Sequence, residues 1–284
     1  KITYHNNSKD VLDYLWIQLD QNKRATDSKS PDVRGGGPRP VYSASQFTKS
    51  FMGKPFEGGF NIESITDANG EVSYTINQTM MRVNLEKPLA PGEKYVFDIK
   101  WWYNINNLTD DRGRSGYEYL ADGNAAYAIA QFFPRLCVYN NVEGWQNLQF
   151  WGTGEFTLEF GNYAVNITTP ADFVLNGTGV IQNPKEVLSK DQYKRYQKAQ
   201  TTYDDPMYIV TPEDVEKASK GSTKKTKTWK LYAENVRDFA FATSKSYMWD
   251  AMAVKLGDRS VMAYSLFPNE GNPLWEEHST RVVA

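Results

Sequence analysis

The sequence predicts a mostly β fold built from antiparallel strands, and three observations carry that expectation. Apolar and polar residues alternate with period two in short segments along the whole 284-residue chain. Turn signals such as Asp67-Ala68-Asn69-Gly70 separate those segments. Aromatic residues make up 14% of the chain, and Tyr, Phe and Trp favour pleated, half-buried surfaces.

Taken in order, Leu15, Ile17 and Leu19 share one face of the first clear strand. Val72, Tyr74 and Ile76 form the next face, after a hairpin turn in which the Asn-Gly pair supplies positive φ angles. Met81, Val83 and Leu85 run into Lys87-Pro88-Leu89-Ala90-Pro91-Gly92, whose two prolines exclude central-strand pairing. Tyr95, Phe97, Ile99, Trp101 and Tyr103 alternate again. Phe156, Leu158 and Phe160 lead through Gly161-Asn162 into Tyr163, Val165 and Ile167. The late strands carry Trp229, Leu231 and Ala233, then Val261, Ala263 and Ser265.

Helical signals are local. Asn183-Pro184 reads as an N-cap with Pro at the first helical position, heading a Lys- and Tyr-rich run through Gln200. Thr211-Pro212-Glu213-Asp214 has the form of a capping box. The polar, basic span 185–228 reads as an insertion on the rim of the β domain, its charges solvated and interspersed with acids. Arg34-Gly35-Gly36-Gly37-Pro38 reads as a flexible loop, and no internal repeat is evident. Both ends read as unfinished. Ile2-Thr3-Tyr4 begins inside a strand, and a helix from Asn272-Pro273, with Glu276 and Glu277 at its positive end, builds an apolar stripe only at Val282 and Val283. The first residue is Lys1, as in a chain with its leader removed or in an excised fragment, and a partner domain is expected to follow.

Composition excludes several function classes. A net charge of −2 and a pI near 5.9 give no electrostatic footprint for nucleic acid. No apolar run approaches the roughly 20 residues of a membrane-spanning helix. One cysteine, Cys137, rules out an internal disulfide and any multi-cysteine metal site, and its apolar surroundings from Phe132 to Tyr139 predict a buried structural thiol.

The sequence also argues against a hydrolytic centre of its own. Catalytic zinc needs three protein ligands and an open position, yet His5 and His278 stand at opposite ends and no His-Glu-x-x-His helix occurs. Glu276-Glu277-His278 reads as helix-dipole chemistry. Glu155 and Glu159 lie four strand residues apart, about 13 Å, too far for a glycosidase pair on one strand. Gly152-Thr153-Gly154 lacks the third glycine of a dinucleotide loop, and neither a phosphate loop nor a Gly-x-Ser-x-Gly elbow is present. The sequons at Asn107 and Asn176 matter only in a eukaryotic secretory setting.

Three blocks carry a resemblance. Gln131-Phe132-Phe133-Pro134-Arg135, continuing from Val138 to Trp145, resembles a segment of bacterial members of the aminopeptidase N family, which includes the leukotriene hydrolases. Gly154-Glu155-Phe156, Phe160-Gly161-Asn162-Tyr163, Thr169-Pro170-Ala171-Asp172 and Asn176-Gly177-Thr178-Gly179 are similar to its hairpin near the end of this region. Thr228-Trp229, Ala233 to Ala240 and the last strand Tyr264-Ser265-Leu266-Phe267 resemble the elements that close it.

The resemblance implies a saddle-shaped antiparallel sheet or sandwich. It implies a non-catalytic N-terminal β domain over residues 1–267, with 268–284 opening the catalytic domain of a zinc aminopeptidase. Zinc belongs to that missing domain, and none to this chain. Gln131 is the implied substrate-binding residue, holding a peptide's amino terminus; Arg135 is implied to pin an interdomain loop. The implied partners are the catalytic domain and peptide substrate, in a periplasmic or otherwise exported bacterial protein, although one cysteine fits the cytoplasm equally. Two alternatives stand beside it. One is a carbohydrate- or protein-binding β module using Trp101, Trp102, Trp145 or Trp151; the other is a scaffold relative without catalysis.

Overall fold

The computed structural model describes residues 1–30, 41–48, 52, 56–110, 113–152 and 157–284. The chain is mostly β, and every strand ladder among the described residues is antiparallel. It divides into two compact units, residues 1–106 with 131–160, and residues 107–130 with 161–284.

The first unit holds strands β1 (Ile2–His5), β2 (Leu12–Gln18), β3 (Asn61–Asp67), β4 (Gly70–Glu71), β5 (Tyr74–Asn77), β6 (Met80–Leu89) and β7 (Lys94–Trp102). β8 (Gly116–Tyr119) and β9 (Ala125–Ile129) fall to the second unit, while β10 (Arg135–Leu136), β11 (Tyr139–Asn140) and β12 (Gly144–Trp145) return to the first. One sheet runs β1-β7-β3-β4 and another β10-β2-β6-β5. Leu12, Leu15 and Ile17 of β2, Met81, Val83 and Leu89 of β6, Ile65 of β3, and Phe97 and Ile99 of β7 form one core shared by both sheets. Each strand places alternate residues on one face, which is why period-two alternation found these elements.

Three readings in this unit need correction. The hairpin turn is Ala68-Asn69, with Asp67 opposite Gly70, so only Gly70 takes a positive φ, 129°. Beyond it Val72 is buried while Tyr74 and Ile76 are exposed, because β5 is an edge strand of the second sheet. The ladder between β2 and β6 pairs Leu12 with Leu89 and Tyr14 with Asn84, slipping across Leu85–Pro88. Pro88 thus sits inside a strand, at the irregularity where its missing N–H is not needed.

The second unit adds β13 (Gly161–Pro170), β14 (Val174–Gly177), β15 (Val180–Ile181), β16 (Met207–Val210), β17 (Thr226–Val236), β18 (Phe241–Ser244), β19 (Met248–Leu256) and β20 (Arg259–Phe267). They form sheets β13-β17-β15, β14-β18-β9-β8 and β16-β19-β20. Trp229, Leu231 and Ala233 are buried as the alternation requires. Val261 is exposed, on the outer half of β20, although Ala263 is buried. Among the described residues, 157–160 form no strand, so Leu158 and Phe160 lie outside regular structure; Phe156 lies outside the described residues, as do Arg34 to Pro38.

The helical expectations divide. Thr211 caps the helix Pro212–Ser219 in a full capping box with Asp214, as read. The run after Asn183 is two helices, Pro184–Val187 and Lys190–Ala199, because Leu188 is extended and Ser189 caps the second with Gln192. Asn183 makes no cap bond; its side chain holds Lys230 N and Thr228 O of β17 instead. The span 185–228 carries these helices and also supplies β16, the edge strand of a sheet, with Tyr196, Ala199, Ile209 and Val210 buried. The final helix is His278–Val283 and not a helix from Asn272, because Asn272 is extended and Glu277 interrupts with φ 53°.

Candidate functional site

The polar end of the first unit is where the predicted site residues lie. The β2 alternation ends at Leu19, and a 3-10 turn, Asp20–Arg24, follows with Asp20, Gln21 and Asn22 buried in succession. Three consecutive buried polar side chains are costly unless each is paired. Each is, and each reaches a different stretch of chain.

Asp20 receives a two-pronged contact from Arg135, Nε to Oδ2 at 2.9 Å and Nη2 to Oδ1 at 2.6 Å, and a third from Gln18 Nε2 at 2.6 Å. Gln21 Nε2 donates to the Gln131 carbonyl at 2.8 Å, while its Oε1 accepts from Arg24 at 3.1 Å. Asn22 Nδ2 donates to the Gln78 carbonyl at 2.8 Å, and its Oδ1 accepts from Phe60 N at 2.8 Å.

The two carbonyls held in this way belong to residues with left-handed backbone, Gln131 and Gln78, each at φ 54°. A side chain there strains the backbone by ~1–3 kcal/mol, so surrounding contacts must hold it. Around Gln131 they come from both sides. Trp101 Nε1 donates to the Phe132 carbonyl at 3.1 Å, Phe132 and Phe133 pack edge to face at 5.0 Å, and Pro134 and Arg135 are buried. The Gln131 carboxamide itself is half-buried and makes no hydrogen bond among the described residues. It offers an acceptor and two donors from a fixed backbone.

Among the described residues, no set fits a hydrolytic zinc centre. His5 Nε2 engages Gly92 O at 3.0 Å, and His278 is exposed at the start of the last helix. Burial pushes the Cys137 thiol up to about 12, away from the thiolate a metal needs. Among the described residues no group of three His, Cys, Asp or Glu converges on one point. Glu159 is exposed, and Glu155 and Gly154 lie outside the described residues. Among those described, no helix is long and apolar enough to cross a membrane.

Other positions resolve plainly. Of the four tryptophans considered for sugar stacking, Trp102 is 50% exposed; Trp101 is bonded as above, and Trp145 packs against Tyr4 and Tyr139. Asn107 Oδ1 accepts from Thr109 N, and Asn176 is buried, so its sequon is a structural asparagine. The second and third sequence blocks are each other's partners: β13 pairs along β17, and Thr178 N donates to Ala240 O at 2.9 Å.

Sequence reading missed the Asp20-Gln21-Asn22 run, which looks like an ordinary polar turn. It also missed Asp250, a lone acid in the buried stretch of β19. Burial pushes its carboxyl up, against the opposing pull of the Thr280 hydroxyl and the Glu277 amide. Glu276, placed by sequence at a helix start, instead accepts from Tyr208 OH at 2.6 Å.

No family profile matches the chain. No curated protein matches it either. Among solved structures it is similar to the M1 zinc metallopeptidase of Deinococcus radiodurans, with 11% identity and a TM-score of 0.48 over 99% of this chain and 46% of that one. A point mutant of the same metallopeptidase gives 11% and 0.49 over the same shares, and that mutant bound to a Tyr-Ser-Ala substrate gives 11% and 0.48. At such identities and TM-scores below 0.5, the likenesses assign no activity to this chain. The chain thus spans less than half the length of the metallopeptidase structures it is similar to.

Proposed function

We propose that this chain is the non-catalytic N-terminal β region of a zinc-dependent aminopeptidase. In this reading it buttresses a separate catalytic domain, which carries the zinc, and lines one wall of the peptide cleft. The observation that carries the reading is Gln131, an unengaged carboxamide among the described residues on a backbone held at φ 54°. Its oxygen can accept a hydrogen bond from a peptide's α-ammonium group, and bonds to a charged donor are stronger than neutral ones. The three sequence blocks supply the family context. Arg135 acts through the loop in this reading, since Asp20 occupies its guanidinium.

The test compares the 284-residue chain with the product of its natural reading frame. The longer protein should hydrolyse aminoacyl amides in a chelator-sensitive way, and the chain should show neither turnover nor stoichiometric zinc. Chelator-sensitive turnover by the chain alone, or an inactive and zinc-free natural product, overturns the reading.

A sugar-binding module is a second reading, favoured by the half-exposed indole of Trp102. Glycan titration followed by tryptophan fluorescence separates the two.

A further inference from the structure

We infer that Gln21 is a positioning residue for Gln131: its buried carboxamide holds the Gln131 carbonyl so that the Gln131 side chain is presented, unengaged, to a ligand's ammonium group. The ligand half of this inference rests on the proposed function; the positioning half does not.

Gln21 is 2% exposed, so its amide cannot exchange partners with bulk water. Its two ends are used differently. Nε2 donates to Gln131 O across 110 residues of sequence, and Oε1 takes Arg24, which fixes the orientation of the amide. Swapping the two ends would set the amide oxygen against the Gln131 carbonyl and its nitrogen against Arg24. The bond therefore exists in one sense only, and Arg24 selects it.

The consequence falls on Gln131. Left-handed backbone is unfavourable for glutamine, and in a free loop this residue would return to extended or right-handed conformations. Such a change re-aims the side chain. The neighbouring anchors act beyond it: Trp101 at the Phe132 carbonyl and Asp20 at the Arg135 guanidinium. Among these contacts, the Gln21 bond reaches Gln131 itself. Asn22 repeats the device at Gln78, also at φ 54°. There, however, the carboxamide is consumed: Gln78 Nε2 donates to Asp27 O at 3.2 Å and its Oε1 accepts from Lys29 N at 2.9 Å. The same scaffold thus makes one closed glutamine and one open one.

The experiment uses Gln21→Glu, which keeps size and the Arg24 contact but removes the donor, and Gln21→Met as an apolar isostere. On the 284-residue chain, backbone ¹⁵N relaxation at Gln131 and Phe132 should fall from rigid order parameters near ~0.85 to below ~0.6 in both variants, while those of β2 and β6 stay rigid. In the natural full-length protein, with leucinamide as substrate, KM should rise about 3- to 10-fold with kcat nearly unchanged, the size expected for one lost hydrogen bond. Gln131→Ala should give the same split. Unchanged order parameters in both variants overturn the inference, as does a KM that responds to Gln131→Ala but not to Gln21→Glu. An inactive wild-type full-length protein removes the proposed function and with it the ligand half, while relaxation still decides the positioning.

Discussion

Arg135 and Asp20 face each other through two parallel hydrogen bonds in the first unit, 115 residues apart in sequence, with neither side chain more than 2% exposed. Two charges taken out of water need such geometry, and Gln18 supplies a further donor to the carboxylate. The pair joins the end of β2 to the loop that carries Gln131. Removing one member breaks a two-pronged ion pair at a buried charge. Asp20→Ala or Arg135→Ala should therefore cost about 3–5 kcal/mol, while the double variant Asp20→Leu/Arg135→Met should lose much less. Denaturant midpoints of the three proteins check this.

A second prediction concerns the turn between β14 and β15. Gly179 has φ +89°, and a Cβ there would lie 2.3 Å from the Tyr232 carbonyl oxygen. Gly257 has φ +59° with open space around it. Gly179→Ala should cost at least about 2 kcal/mol, combining strain and collision, and Gly257→Ala about 1 kcal/mol from backbone conformation alone. Thermal melting should rank them in that order.

Cys137 offers a chemical check. It is 3% exposed, with Met80 Sδ at 3.9 Å, and burial pushes its thiol up to about 12. The thiol should resist a disulfide reagent at pH 8 in the folded chain and react at once in denaturant. Reaction in the folded state at the rate of a free thiol would contradict the burial.

Alkaline pH should loosen the fold. Burial raises Tyr4, Tyr103 and Tyr247 from 10 to about 12, and Cys137 from 9 to about 12. A raised acid favours the neutral form in the fold. Its contribution to stability is complete below the unfolded value and disappears as pH climbs toward the folded one. The melting temperature should fall between about pH 9 and 12, with tyrosinate absorbance appearing in step with unfolding.

Lys227 runs with the opposite sign. Its amine lies 4.8 Å from the centre of the Trp229 ring, donates to Val187 O at 3.1 Å, and is lowered by burial from 10.5 to about 8. Its contribution to stability is present above pH 10.5 and is lost as pH falls through 8. A ¹³Cε titration should show one lysine with a midpoint near 8; a Lys227 midpoint near 10.5 would refute the burial effect.

The antiparallel β class, most strand faces and the Thr211 cap were legible in the sequence. Each rests on local spacing, two residues for a strand and three for a capping box, which a linear text preserves. The edge assignment failed for the matching reason. Tyr74 and Ile76 alternate as a buried face would, but which strand flanks them depends on a sheet order that spacing does not encode. Gln131 and Arg135 could be singled out by resemblance, whereas their partners could not.

By itself, then, the sequence determined the antiparallel β class, the faces of most strands and the burial of Cys137. Tertiary structure alone decided that Asp20, Gln21 and Asn22 are interior residues, and that they hold Arg135, Gln131 and Gln78. The physical reason is distance along the chain. A buried polar group must find its partner wherever the fold brings one, here 115, 110 and 56 residues away, and no local pattern records that meeting.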